Sequence, residues 1–293
     1  MKKRKIAWGQ VILNMVFIGF AICYIVPFAL CISISFSDEE ALVMQGYSLI
    51  PRVFSLESYK LVFRNPKQIL QSYEVTIIFT IISTALAVLV MGLLAYPLAR
   101  PNYRFKGILS FFVFFTMLFS GGMVPSYLLI VRYLHLNDTM LVYIFPGLVS
   151  AYSVMIIRTN YRSIPYELIE AAKVDGASEL FICFRIVMPL SKPVLASIGF
   201  LFLVDKWNDW MTSMLYIRDP KLYSLQYLLQ RILNEAEYLR QLADTGALMG
   251  GEVFPTESFR YAMALVAAGP VLLIFPFFQK HFAKGMTLGG VKG

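Results

Sequence analysis

An all-α, polytopic membrane protein of six transmembrane helices is the fold class this sequence predicts, on three observations. Hydrophobic residues make up 58% of the chain and mean hydropathy is +0.66, beyond a soluble domain of ordinary composition. The apolar residues come in blocks of about twenty, the length that crosses a bilayer. The loops between the blocks alternate between a strongly basic side and a mildly acidic one, which is how a polytopic chain is oriented.

The first helix is expected over about residues 11–32, behind Lys2, Lys3, Arg4 and Lys5. A secretory signal has this charge order, but the apolar run is too long for one and carries no small-residue cleavage site, so it reads as an uncleaved membrane helix. Residues 33–74 are polar with mixed charge, and SLESYKLVF within them suits a short amphipathic helix. The second helix is expected at about 75–98, followed by a basic turn with Arg100, Arg104 and Lys106. The third spans about 108–130 and is interrupted at Ser120–Pro125, because Gly-Gly before Pro kinks or ends a helix. The fourth is expected at about 140–158 and the fifth at about 193–217. Between the fifth and sixth, residues 218–259 are polar and contain the helical-looking YSLQYLLQRILNEAEYL. The sixth runs over about 260–279, ahead of a basic, glycine-rich tail. No repeat or linker interrupts the series, so residues 1–293 read as one transmembrane domain.

Loop charges test that order. On the side of the N-terminus lie 15 Lys and Arg with 4 acids; on the other lie 9 with 12 acids. The positive-inside rule puts both termini in the cytoplasm of a plasma-membrane protein. The net charge of +8 is therefore an orientation signal and not a nucleic-acid footprint. No nucleotide-binding loop, metal-ligand spacing or catalytic constellation is present, so neither an enzyme nor a resident cofactor is expected. Cys23, Cys31 and Cys183 read as packing residues.

Two stretches carry function. In Ser163 to Pro189 the residues read as helix, turn, helix. Ser163 is placed to cap the first helix, Gly176 to reverse the chain, and Asp175 to cap the second helix. Inside the fifth helix, Asp205-Lys206-Trp207-Asn208-Asp209-Trp210 puts charge at mid-membrane, where each charged side chain costs roughly 2.5–3.5 kcal/mol on insertion scales. Asp205 and Asp209, four apart, are expected on one helical face turned into the bundle. They either form an internal Asp–Lys pair, contact a partner subunit, or line the solute path with Trp207 and Asn208.

The sequence Glu170-Ala171-Ala172, with Gly176, Ile186, Met188 and Pro189 at their spacings, resembles the signature of membrane subunits of binding-protein-dependent ABC importers. Met188 stands where Leu is usual. FSGGMVPSYLLIVRYLHLNDT, SLESYKLVF, Trp207-Asn208-Asp209 and the terminal GGVKG resemble the carbohydrate branch of that family, its MalG-like and LplC-like members. The resemblance implies the type I importer fold and a heterodimer with a second permease subunit. It also implies two cytoplasmic ATPase subunits that bind the ATP, an extracytoplasmic solute-binding protein, and import of a sugar, an oligosaccharide within that class. It further implies that Glu170, Ala171, Ala172, Asp175, Gly176, Ala177 and Pro189 belong to the segment that docks on the ATPase. An ion-driven secondary transporter would instead use Asp205 and Asp209 as an ion path and would show inverted repeats, which are not visible.

Overall fold

The computed structural model describes residues 8–245 and 257–285. The basic residues Lys2–Lys5 and the GGVKG tail lie outside this range. By internal contacts the chain divides into two compact units, Met1–Pro66 with Leu229–Gly269 and Lys67–Leu228 with Pro270–Gly293. Among the described residues every regular element is helical apart from one isolated bridge between Ser37 and Phe54.

In the first unit, α1 (Trp8–Ser35) is one long apolar helix that exposes nearly all its side chains, as a lipid-facing span does. It ends in a small polar assembly. Asp38 caps α2 (Glu39–Gln45), its carboxylate accepting from the Ala41 N–H at 3.1 Å. SLESYKLVF forms α3 (Glu57–Val62) as expected. Phe36 stacks between Phe54 and Tyr59, with centroids 5.7 and 4.9 Å apart. The buried Glu39 carboxylate accepts from the Glu257 N–H (2.9 Å), the Ser258 N–H (2.9 Å) and the Ser258 hydroxyl (2.7 Å). It thereby supplies acceptor and negative charge to the start of α15 (Glu257–Gly285).

The second unit is built on α4 (Pro66–Ala99), whose buried Val75, Phe79, Ser83, Ala87, Met91 and Ala95 recur every fourth residue as one stripe. Its last carbonyls are met by the guanidinium of Arg158, which donates to Leu98 O at 3.1 Å. α5 (Lys106–Leu118) and α6 (Met123–Leu128, continued by a π-turn to Tyr133) meet at 115°, with the break at the expected Gly-Gly. Gly122 there has φ +84°, open to glycine and strained for others.

The expected fourth helix is not continuous. It consists of α7 (Leu141–Ile144) and α8 (Ala151–Arg162), parted by Pro146, which lacks an N–H, and Gly147 at φ +75°. After α9 (Glu167–Val174), α10 (Glu179–Ile182), a π-turn and α11 (Met188–Leu190), the chain turns 81° into α12 (Lys192–Trp207). Pro189 and Pro193 flank that turn. The expected fifth helix also breaks, at Asn208, before α13 (Met211–Tyr216). YSLQYLLQRILNEAEYL lies largely within α14 (Leu225–Asp244). Among the described residues three helices are long and apolar enough to cross a membrane, and up to five spans result if each bent pair counts as one. The interrupted α7–α8 pair explains why this number falls below the six expected.

Candidate functional site

The 163–189 segment is organised by its turn. Ser163 does not cap α9, contrary to expectation: it closes α8, its hydroxyl donating to Asn160 O at 2.7 Å. Asp175 likewise ends α9 instead of starting α10, and Ser178 takes the capping role, accepting from the Phe181 N–H at 3.3 Å. The physical reason lies in Gly176. At φ +79° it puts the chain in the left-handed region directly after α9, so α10 starts three residues later than the Asp175 reading requires.

This turn is a Schellman motif. The Gly176 N–H donates to Lys173 O (3.0 Å) and the Ala177 N–H to Ala172 O (2.9 Å), which satisfies two carbonyls that the helix end leaves open. Such a motif favours an apolar contact between the residues at the positions of Ala172 and Ala177. Both pack against the main core with Ile169, beside Met91, Ala95, Tyr161 and Ile182. Ala172, Gly176 and Ala177 therefore have a local structural reason. Glu170, Ala171 and Asp175 have none of this kind: they stand exposed on the outer face of α9, next to Val174, which is 87% exposed. Pro189 lies in α11, directly after the π-turn over residues 183–187 and just before the 81° bend.

The second stretch is rearranged relative to expectation. Because α12 ends at Trp207, Asp205 and Asp209 do not share a helical face. Asp205 and Asn208 are exposed, whereas Asp209 turns back to start α13, its carboxylate accepting from the Thr212 N–H (3.0 Å) and hydroxyl (2.6 Å). Buried Lys206 donates to Tyr143 O (3.0 Å) and Pro146 O (3.3 Å) and lies 4.0 Å from Asp209. It thus serves the open carbonyls at the end of α7 and ties the two broken spans together. Trp207 is buried against Tyr73, with ring centroids 6.5 Å apart, and is a packing residue here. The break is held by a further polar chain: the Tyr143 hydroxyl meets Ser213, Ser213 meets Ser224, and the Ser224 hydroxyl donates to Asp209 O at 3.0 Å. Gln226, not singled out in the sequence, is half-buried and donates to the exposed Asn208 at 3.4 Å. Its only sequence signal is proximity to a membrane segment.

Residues 87–288 match the model of the binding-protein-dependent transport system inner membrane component family. The chain is 39% identical to the Bacillus subtilis protein LplC over 96% of this chain and 94% of that protein. It is also 39% identical to the polygalacturonan/rhamnogalacturonan transport system permease protein YtcP of the same organism, over 94% of each. Among solved structures, a bacterial ABC transporter involved in the import of the acidic polysaccharide alginate superposes with a TM-score of 0.78 and 27% identity, covering 96% of this chain and all of that one. On the extent of the family match and the identity to these relatives, the chain is a member of the binding-protein-dependent transport system inner membrane component family, a permease component of an ABC importer.

Proposed function

We propose that this chain is one of two permease subunits forming the path by which an oligosaccharide enters the cell, and that α9 is where the ATPase docks. The observation that carries the docking reading is the construction of α9: one face sealed into the core through Ile169, Ala172 and Ala177, the other presenting Glu167, Glu170, Ala171 and Val174 to solvent on a glycine-closed turn. A short helix fixed from behind and free in front can move a membrane bundle when a partner seizes it. The charge distribution supports an orientation in which this helix and both termini are cytoplasmic while α2, α3 and α14 face outward.

On this reading two ATPase subunits bind and hydrolyse the ATP, and an extracytoplasmic binding protein delivers the solute. Exposed Asp205 and Asn208, with half-buried Gln226 beside them, are suited to meet sugar hydroxyls; Lys206, Trp207 and Asp209 hold the break that presents them. Oligosaccharide as the solute class rests on relatives that include permeases for polygalacturonan/rhamnogalacturonan and, at 27% identity, the Bacillus subtilis arabinooligosaccharide permease AraQ. Titrating the cognate binding protein with neutral arabino- and galacto-oligosaccharides and with oligogalacturonates tests the class. Saturable binding of one of these sets is expected. Binding of amino acids or metal chelates in their place would overturn it.

A further inference from the structure

α9 is joined to α4 in two different ways. On one side apolar residues of both elements share the core. On the other, a cavity of about 500 Å³ opens, walled by Leu93, Tyr96, Arg100, Lys173, Glu179 and Leu180, among others. Along its wall runs a chain of polar contacts centred on one carboxylate. Lys173 of α9 pairs with Glu179 Oε1 at 2.5 Å, and the Tyr96 hydroxyl of α4 donates to Glu179 Oε2 at 2.6 Å. The Arg100 guanidinium stacks on the Tyr96 ring, 4.2 Å from its centre. Each oxygen of Glu179 thus serves a different element.

From this geometry we infer that Glu179 is a positioning residue for coupling, holding the α9–α10 turn against α4 so that movement imposed on α9 reaches the membrane-spanning helix. The inference rests on the reading of α9 as the ATPase-docking element. The Lys173–Glu179 pair is half-exposed and contributes little alone. The Tyr96 bond is short, charge-assisted and partly buried, so it is the stronger half of the link. The cavity matters because the bond runs along open space and not through packed apolar side chains. Losing it leaves the core contact as a hinge and removes the second point that would make the two elements move as one body.

The test uses the assembled complex in a cysteine-free background. Spin labels are placed at Leu89→Cys on α4 and Leu168→Cys on α9, both partly exposed at 38% and 47%. Their separation is measured without nucleotide and after trapping with ATP and vanadate. In the otherwise wild-type chain the separation stays the same in both states, because the two elements move together. In Glu179→Ala it shifts or at least doubles in width on trapping, while the ATPase still co-purifies. Tyr96→Phe keeps the ring under Arg100 and gives the same change, so it carries the test if Glu179→Ala fails to fold. Glu179→Gln is the mildest, since its amide oxygen still accepts from Tyr96. An unchanged separation in both Glu179→Ala and Tyr96→Phe with ATPase bound overturns the positioning role and leaves the docking reading intact. Failure of the ATPase to co-purify with the wild-type chain overturns the docking reading, and this inference with it.

Discussion

Replacing Gly176 separates backbone strain from contact at the proposed docking turn. Gly176 has φ +79°, and a Cβ built on it meets nothing within 4 Å. Any cost in the isolated chain is therefore conformational. A non-glycine residue held in the left-handed region costs about 1–2 kcal/mol, up to about 3 kcal/mol for a β-branched one, and less for Asn. Since about 1.4 kcal/mol is tenfold, Gly176→Val shifts the closed turn toward open forms by roughly ten- to a hundredfold, Gly176→Ala by about tenfold, and Gly176→Asn by less. Opening frees the Lys173 and Ala172 carbonyls and unseats Ala177 from the core. The assay is ATPase binding to the purified permease pair, read as Kd, with membrane yield as the control for folding. The expected order of affinity is Gly, Asn, Ala, Val. Wild-type affinity in Gly176→Val would refute the role of the turn. Equal losses in Asn, Ala and Val would refute strain as the cause and point to direct contact between the partner and the glycine.

Three further outcomes are expected. Asp209→Ala removes the cap of α13 and should lower stability by about 1 kcal/mol, read by thermal unfolding in detergent, whereas Asp205→Ala should leave unfolding unchanged and alter only transport. Lys206→Met keeps the stem but leaves Tyr143 O and Pro146 O without their donor, so it should destabilise by about 1–3 kcal/mol; an unchanged melting temperature would contradict this. Asp138 accepts from the backbone N–H groups of Asp219 and Arg218, chiefly the former, which holds its carboxyl below the ordinary carboxylate value. Its contribution is present above the unfolded carboxylate range near pH 4 and lost as pH falls through the lower folded value. The difference in melting temperature between wild type and Asp138→Asn should therefore shrink on acidification below about pH 4, and a difference independent of pH would exclude the carboxylate as its source.

Apolar blocks, Gly-Gly and the glycine turn were legible because each acts through local chemistry. A run of lipid-compatible side chains, or a residue that alone tolerates positive φ, needs no tertiary partner to show its meaning. The short α3 and the long amphipathic α14 were legible for the same reason. The breaks at Pro146–Gly147 and Asn208 were less so. The first has an audible signal in Pro-Gly, but the apolar run around it reads as continuous. The second is stabilised by Lys206 reaching the end of α7 and by Ser213 and Ser224 closing on Asp209, all partners distant in sequence. Helix periodicity placed Asp205 and Asp209 on one face only because it assumed an unbroken helix. Capping fails in the same way at Ser163 and Asp175: the residue types fit, and the position of the left-handed glycine decides which of the candidates is used. Glu39 and Glu179 give no sequence signal at all, since a carboxylate that joins two distant elements looks like any surface acid.

Orientation follows from maleimide labelling of intact cells. Met44→Cys, at a residue 85% exposed, should react from outside, and Ser178→Cys should not. The reverse pattern would invert the orientation.

On the function proposed above, this chain moves an oligosaccharide by a path driven from the ATPase at α9. The most direct test of that function is uptake into proteoliposomes. They contain this chain, the second permease subunit and the ATPase, with the cognate binding protein outside and the oligosaccharide that binds it as the probe. Uptake should require internal ATP and every component, and Gly176→Val should abolish it while the subunits remain assembled. Uptake that proceeds without ATPase or ATP and follows an imposed proton or sodium gradient would contradict that function.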